Sequence, residues 1–173
     1  MKVIKTNFKG LVIVKSKNII DKRGYFREVF VEKYIKNKLI FTIVSKSKKN
    51  VLRGLHMQKV NPQGKYVSVV KGKILDVAVD CRRNSKTFGK YYKISLSEKN
   101  AKSIFIPPGF LHGFLGLENE NIVVYGCTKY RHKKSEIGVI WNDETLNIKW
   151  PINKPIISNK DKKNISFKEF LKI

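Results

Sequence analysis

Short apolar runs broken at regular intervals by glycine, proline and charged residues dominate the pattern of the chain. Val3-Ile4 and Leu11-Val12-Ile13-Val14 are short enough to be strands. Asp21-Lys22-Arg23-Gly24 reads as a turn, followed by a strand on which Tyr25 and Arg27 alternate with Phe26 and Glu28. Val31–Lys38 reads as one short helix, and Leu39–Val44 as a buried strand followed by a basic polar loop, Ser45–Asn50. Val51–Gln58 is β-rich, and Lys59–Gly64, with Pro62 and Gly64, is a loop. Tyr66–Val70 and Lys73–Val79 form a hairpin about Lys71-Gly72, where glycine accepts positive φ. A polar connection spans Asp80–Gly89. Strands follow over Lys90–Leu96, Ser103–Ile106, Leu111–Leu117, Asn121–Thr128 and Ile137–Trp141. Beyond Trp150-Pro151 the pattern weakens, with a short helix over Ser166–Lys172. Many short strands with almost no helix predict an all-β sandwich, barrel or jelly roll, and no repeat or linker divides the chain.

Composition narrows this picture. The 173 residues are 42% hydrophobic and 11% aromatic, enough for a folded domain with a real core. No apolar run approaches a membrane span, and Met1-Lys2-Val3-Ile4-Lys5 lacks the apolar core of a secretion signal, so the expected location is the cytoplasm with no membrane partner. Cys81 and Cys127 stand far apart outside any C-x-x-C context and read as structural thiols.

The net charge of +24 admits three readings. A basic domain attracts nucleic acid. The lysines, however, are spread along the whole chain, and no helix-turn-helix, zinc spacing or aromatic-basic stretch accompanies them, so nucleic acid is not the expected partner. The charge is otherwise a lysine-rich bias in composition, or a field that steers a small anionic substrate.

Candidate chemistry centres on Arg53-Gly54-Leu55-His56-Met57-Gln58. On a regular strand Arg53 and His56 point to opposite faces, so they converge on one ligand only if the backbone twists or bulges at Gly54. Pro107-Pro108-Gly109-Phe110-Leu111-His112 has the look of the later metal-binding element of a cupin. The earlier element fails, because no second histidine follows His56 and Lys65 stands where an acidic ligand belongs. A cation in the ligand set opposes a divalent ion, so neither metal nor other cofactor is expected. Neither cysteine has an activating context, and there is no nucleophile elbow. His56, Lys65, His112, Tyr125 and Asp161 remain as an acid–base inventory suited to removing a proton α to a ketone. Taken alone, Asp161 is a solvated charge in a polar tail, Tyr125 a core tyrosine and Lys65 a surface lysine.

Over about residues 10–165 the chain resembles the sugar-nucleotide 3,5-epimerases, typified by dTDP-4-dehydrorhamnose 3,5-epimerase, a metal-free cupin-fold family. The resemblance rests on the order and spacing of Asp21–Phe26, Arg53–Gln58, Gln63-Gly64-Lys65, Asp76–Arg82, Ser85–Gly89, Ile106–Phe114, Tyr125–Thr128, Trp141-Asn142-Asp143 and Ser158–Asp161. It implies a single cupin-like jelly roll (a double-stranded β-helix) over 1–173 with a few short helices and a C-terminal tail. It also implies a homodimer with exchanged N-terminal strands, and a sugar-nucleotide substrate. His56 matches the family's base for C3 and C5, Asp161 its carboxylate partner, Lys65 the stabiliser of the C4 enolate, and Tyr125 the acid on the other face. Arg53, His112 and Gln58 match substrate-contacting residues, while Arg23, Phe26 and Glu28 match a segment that crosses to the partner subunit. The expected activity is epimerisation of a nucleotide-diphospho-4-keto-6-deoxy sugar, most simply dTDP-4-dehydro-6-deoxyglucose. The alternatives are a GDP-linked 4-keto heptose, inversion at one carbon only, or a non-catalytic basic β-domain that binds polyanions. Three departures bear on specificity. Phe41 and Ile43 stand where family members carry a glutamine and an asparagine, the loop between His56 and Lys65 is one residue short, and Arg131 replaces the second of two tyrosines beside Tyr130.

Overall fold

The computed structural model describes residues 1–173. Thirteen strands follow in chain order: β1 (Lys2–Lys5), β2 (Val12–Lys15), β3 (Ile19–Asp21), β4 (Gly24–Phe26), β5 (Phe41–Ser47), β6 (Leu52–Gln58), β7 (Lys65–Lys71), β8 (Lys73–Asp80), β9 (Tyr91–Ser97), β10 (Lys102–Ile106), β11 (Phe110–Gly116), β12 (Asn121–Cys127) and β13 (Glu136–Gly138). They pair antiparallel into a six-stranded sheet, β1-β2-β10-β7-β12-β5, a five-stranded sheet, β13-β6-β11-β8-β9, and the separate β3–β4 hairpin. The order of the strands jumps between distant parts of the chain, as in the jelly roll of a cupin. A single helical turn, α1 (Phe167–Phe170), closes the tail, capped reciprocally by Ser166 and Glu169. No helix is long and apolar enough to cross a membrane.

Period-two alternation sets the core. Val67 and Val69 on β7, Ile13 on β2, Ile104 on β10 and Val123 on β12 meet Ile74 and Ala78 on β8, Leu96 on β9, and Phe110 and Phe114 on β11. The alternate residues of β7 face outward. Tyr66 packs there with Ile35 and Phe105, and the segment carrying Phe30 and Leu39 covers them. The outer face of the second sheet is covered by the tail, where Leu146, Ile148 and Phe167 lie against Leu55, Val77, Val79 and Leu111. The polar connection after β8 is tied down by Asp80, which accepts from Arg82, Ser85 and Thr87. Burial opposes its charge, but those hydrogen bonds outweigh it and hold the carboxyl at about 2.

Two local expectations are corrected. Val31–Lys38 is not a helix beyond the single 3-10 turn Glu32–Tyr34, which lacks a side-chain cap and buries none of its residues. Only Ile35 is anchored in the core there, so no helical stripe exists to be covered. The strand expected to be buried over Leu39–Val44 runs instead from Phe41 to Ser47, with Thr42, Ile43 and Val44 exposed. It is an edge strand with β12 as its only neighbour, and its apolar side chains face an open cleft.

Candidate active site

The bulge that Arg53 and His56 require is present. His112 on β11 pairs with His56, and Phe114 pairs with Arg53, so an interval of two residues faces an interval of three. The extra residue falls at Gly54-Leu55, where Gly54 has φ +123° and the Gly54–Leu55 peptide is cis. Only glycine fits this position, because a Cβ there would sit 2.6 Å from Gly113 Cα and 2.8 Å from the His112 carbonyl oxygen. The bulge turns Arg53 and His56 to the same side, and both line one cleft of about 670 Å³.

The cleft also gathers Lys65, Tyr125, His112, Asp161 and Gln58, so seven of the ten residues singled out from the sequence share its walls. Arg23, Phe26 and Glu28 do not. They lie on or beside the β3–β4 hairpin, which is exposed along its whole length, and Arg23 is paired with its neighbour Asp21. The hairpin leans on the far end of β7, where Arg27 donates to the Val69 carbonyl.

His56 is one-third exposed, and its Nε2 lies 2.6 Å from Asp161 Oδ1. With the Nε2 proton directed at the carboxylate, the lone pair is left on Nδ1. Asp161 is itself buried, on the 3-10 turn Asp161–Lys163 that the tail lays beside β6. Burial pushes its carboxyl up, but the hydrogen bond and charge of His56, with bonds from the Gly54 amide and Ser158, bring it below the ordinary carboxylate value.

Directly beside this pair, His112 Nε2 meets Asp76 Oδ2 at 2.8 Å, with both side chains buried. Asp76 Oδ1 is buried without a partner. Lys65 opens β7 opposite Cys127 of β12, and burial lowers the pKa of its ammonium. Tyr125 Oη lies 2.6 Å from Ser45 Oγ, and burial raises its pKa, so the phenol keeps its proton.

Arg53 is exposed at the rim, where its Nε donates to Ser47 Oγ and its Nη2 to the Lys46 carbonyl. Gln58 points elsewhere. Its amide donates to the carbonyls of Asn61 and Tyr130 and accepts from the His132 amide, so it braces two loops behind the cleft. Arg131 and Lys160 converge on Glu136 at the mouth, and the Arg131 hydrogen bond leads in holding that carboxyl at about 2.

Three contributors were not singled out from the sequence. Asp76 had a readable signal, since it is a carboxylate on the same strand face as Ala78 within an apolar run. Ser45 and Ser47, which hold Tyr125 and Arg53, had none, because both fell in a stretch read as loop. No cluster of three or more His, Cys, Asp or Glu side chains suited to a metal ion occurs here, and the cleft that the two histidines line also holds Lys65. The donor set does not fit a divalent cation. It does fit proton transfer at a carbon acidified by a neighbouring carbonyl.

The family model for dTDP-4-dehydrorhamnose 3,5-epimerase matches residues 5–169. A dTDP-4-dehydrorhamnose 3,5-epimerase of Methanothermobacter thermautotrophicus is 42% identical over 167 residues, covering 92% of this chain and 90% of that protein. The crystal structure of the Elizabethkingia anophelis enzyme of that name superposes with a TM-score of 0.90 at 40% identity, covering 98% of this chain and 97% of that one. The Legionella pneumophila dTDP-6-deoxy-D-glucose-3,5-epimerase, solved in complex with dTDP-4-keto-L-rhamnose, has a TM-score of 0.91 at 38% identity, covering 96% and 93% of the two chains.

Proposed function

The chain belongs to the dTDP-4-dehydrorhamnose 3,5-epimerase family, and on that premise we propose a specific task for each side chain of the cleft. The protein is an isomerase that inverts C3 and C5 of a nucleotide-diphospho-4-keto-6-deoxy sugar, dTDP-4-dehydro-6-deoxyglucose. The C4 ketone acidifies the C–H bonds on either side of it. His56 Nδ1 takes the proton, and Asp161 fixes the ring's tautomer and offsets the charge of the imidazolium. The electron pair moves into a C4 enolate. Lys65 donates to its oxygen, and a lysine whose pKa burial has lowered is a better match for that oxygen than a solvated one. Tyr125 then returns a proton to the same carbon from the other side, and the ketone re-forms. Nothing is oxidised or reduced, so the cycle needs only solvent to reset the two protonation states. Arg53 and His112 flank the sugar and its diphosphate.

The observation that carries this reading is the placement of base and acid. His56 stands on β6 of one sheet and Tyr125 on β12 of the other, with the cleft between them. A ring held there presents opposite faces to the two groups, which is what inversion needs. In deuterated solvent, the protein is expected to place deuterium at C3 and C5 of dTDP-4-dehydro-6-deoxyglucose, as followed by NMR. Absence of label at both carbons rejects the reading, and label at only one reduces it to a single-carbon epimerase.

The β3–β4 hairpin supports a homodimer with exchanged N-terminal strands. Ile19, Ile20 and Phe26 are each more than 60% exposed, an apolar surface that a lone protomer leaves in water. In the exchanged arrangement Arg23, Phe26 and Glu28 serve the cleft of the partner subunit. Sedimentation equilibrium is expected to give twice the 20.1 kDa chain mass, and Phe26→Asp to shift it towards one. A monomeric wild type would reject the exchange.

A further inference from the structure

Inverting two carbons sets a demand that inverting one does not. Each inversion leaves a proton on His56 and takes one from Tyr125. For both carbons to be inverted while the sugar stays bound, both groups must be reset with the cleft occupied. His56 is one-third exposed and releases its proton directly to water. Tyr125 is placed differently. It stands on β12, flanked by β7 and β5, and its ring packs against the core beside Phe114, with 6.2 Å between the ring centroids. The side it presents to the cleft is the side that a bound sugar covers.

The Tyr125 hydroxyl has one protein partner. Its Oη lies 2.6 Å from Ser45 Oγ, across a diagonal of the β5–β12 ladder in which Ile43 pairs with Tyr125 and Ser45 with Val123. β5 is the edge of its sheet, with no strand beyond it, and Val44 and Lys46 on either side of Ser45 are exposed. Ser45 itself is half-buried, and its Oγ makes no other bond to protein. A serine hydroxyl has one proton to give and two lone pairs. The bond to Tyr125 therefore leaves Oγ able to bond a water at the strand edge. Burial disfavours a phenolate on Tyr125, while the Ser45 bond and the charge of Arg53 favour one.

Building on the proposed epimerase reading, we propose that Ser45 is the relay through which Tyr125 regains its proton between the two inversions. Tyr125 Oη gives its proton to carbon and takes the proton of Ser45 Oγ, and Oγ takes one from water at the β5 edge. The proton that His56 sheds replaces the one drawn from water, so the solvent is unchanged overall. Ser45 touches no reacting carbon and acts through Tyr125.

The test follows deuterium from solvent into dTDP-4-dehydro-6-deoxyglucose with wild type, Ser45→Ala and Ser45→Thr. Ser45→Ala is expected to lower kcat by about tenfold, short of the roughly 10²- to 10⁴-fold for losing the acid itself. Its first-formed product is expected to shift from label at both carbons towards label at one, because the sugar departs before the acid is reloaded. Imidazole buffer, raised at fixed pH and ionic strength, is expected to recover kcat in Ser45→Ala and to leave the wild type unmoved, since a small diffusible donor replaces the missing hydroxyl. Ser45→Thr keeps the hydroxyl, on an edge strand that suits a β-branched residue, and is expected to match the wild type. A serine that only steadied the tyrosine ring would lower kcat without these changes. A loss that ignores buffer, with both carbons still labelled together, therefore overturns the inference, as does an unchanged kcat in Ser45→Ala. A wild type that labels a single carbon has no second inversion to reload for and also overturns it, leaving a one-carbon epimerase. No label from the wild type overturns the epimerase reading as well.

Discussion

The molecule contains two histidine–carboxylate pairs, and they stand side by side. His56 and His112 are direct partners in the β6–β11 ladder, yet each turns its Nε2 to a different acid. The His56 ring is 31% exposed and its acid arrives on a tail turn; the His112 ring is 5% exposed and its acid lies on the adjacent strand β8. The same two groups at nearly the same separation therefore serve different ends. A base must exchange protons with something that comes and goes, so one edge of its ring has to face the cleft. A histidine only 5% exposed can touch the substrate but has little free ring edge for that exchange. The pair it forms with Asp76 fixes the geometry of the wall against which substrate lies, and removing either member leaves a charge or a polar group with no partner.

Substituting each histidine by alanine separates the two roles. His56→Ala should lower kcat by about 10²- to 10⁴-fold, the range for a lost general base. Its fold should hold, with a melting shift of only roughly 1–4 °C, because Asp161 keeps the Gly54 amide and the cleft admits water. His112→Ala should cost stability as well as its contact with the sugar. It leaves Asp76 buried and unpaired, a loss of about 3–5 kcal/mol, which for a chain of this length is a melting shift of roughly 6–20 °C. Calorimetry alongside deuterium-exchange kinetics checks both. If His112→Ala melts like the wild type, the inner pair is not structural, and if His56→Ala still labels C3 and C5 at the wild-type rate, the outer pair is not the base.

The two pairs also differ in how far the sequence disclosed them. Both histidines stood in legible motifs, one after a glycine that invites a bulge and one after Pro107-Pro108-Gly109. Strand alternation marked Asp76 as inward-facing, but only the register of β8 against β11 gives it a histidine. Asp161 is 105 residues from His56, and nothing in its polar surroundings points to burial. It is placed by Leu146, Ile148 and Phe167 docking on the outside of the second sheet, and that docking depends on an apolar outer face which no local pattern in the tail announces. The misread edge strand β5 has the same origin. A run such as Leu39–Val44, apolar but for Thr42, looks the same whether neighbours cover it or a cleft lies against it.

The smallest effect expected distinguishes the pairs by pH. Burial opposes the charge of Asp161, yet His56, the Gly54 amide and Ser158 together hold its carboxyl below the ordinary aspartate value. A carboxylate whose folded pKa is depressed stabilises the fold above the unfolded pKa and loses that contribution as pH falls through the lower folded value. Asp161→Asn removes the titration while keeping the shape. The difference in urea midpoint between wild type and Asp161→Asn should therefore be widest near pH 6 and shrink steadily below about pH 4, the unfolded carboxylate value. A difference that stays constant down to pH 3 would mean that the tail is held by the contacts of Leu146, Ile148 and Phe167 alone. The ionic part of the outer pair would then belong wholly to the reaction and not to the fold.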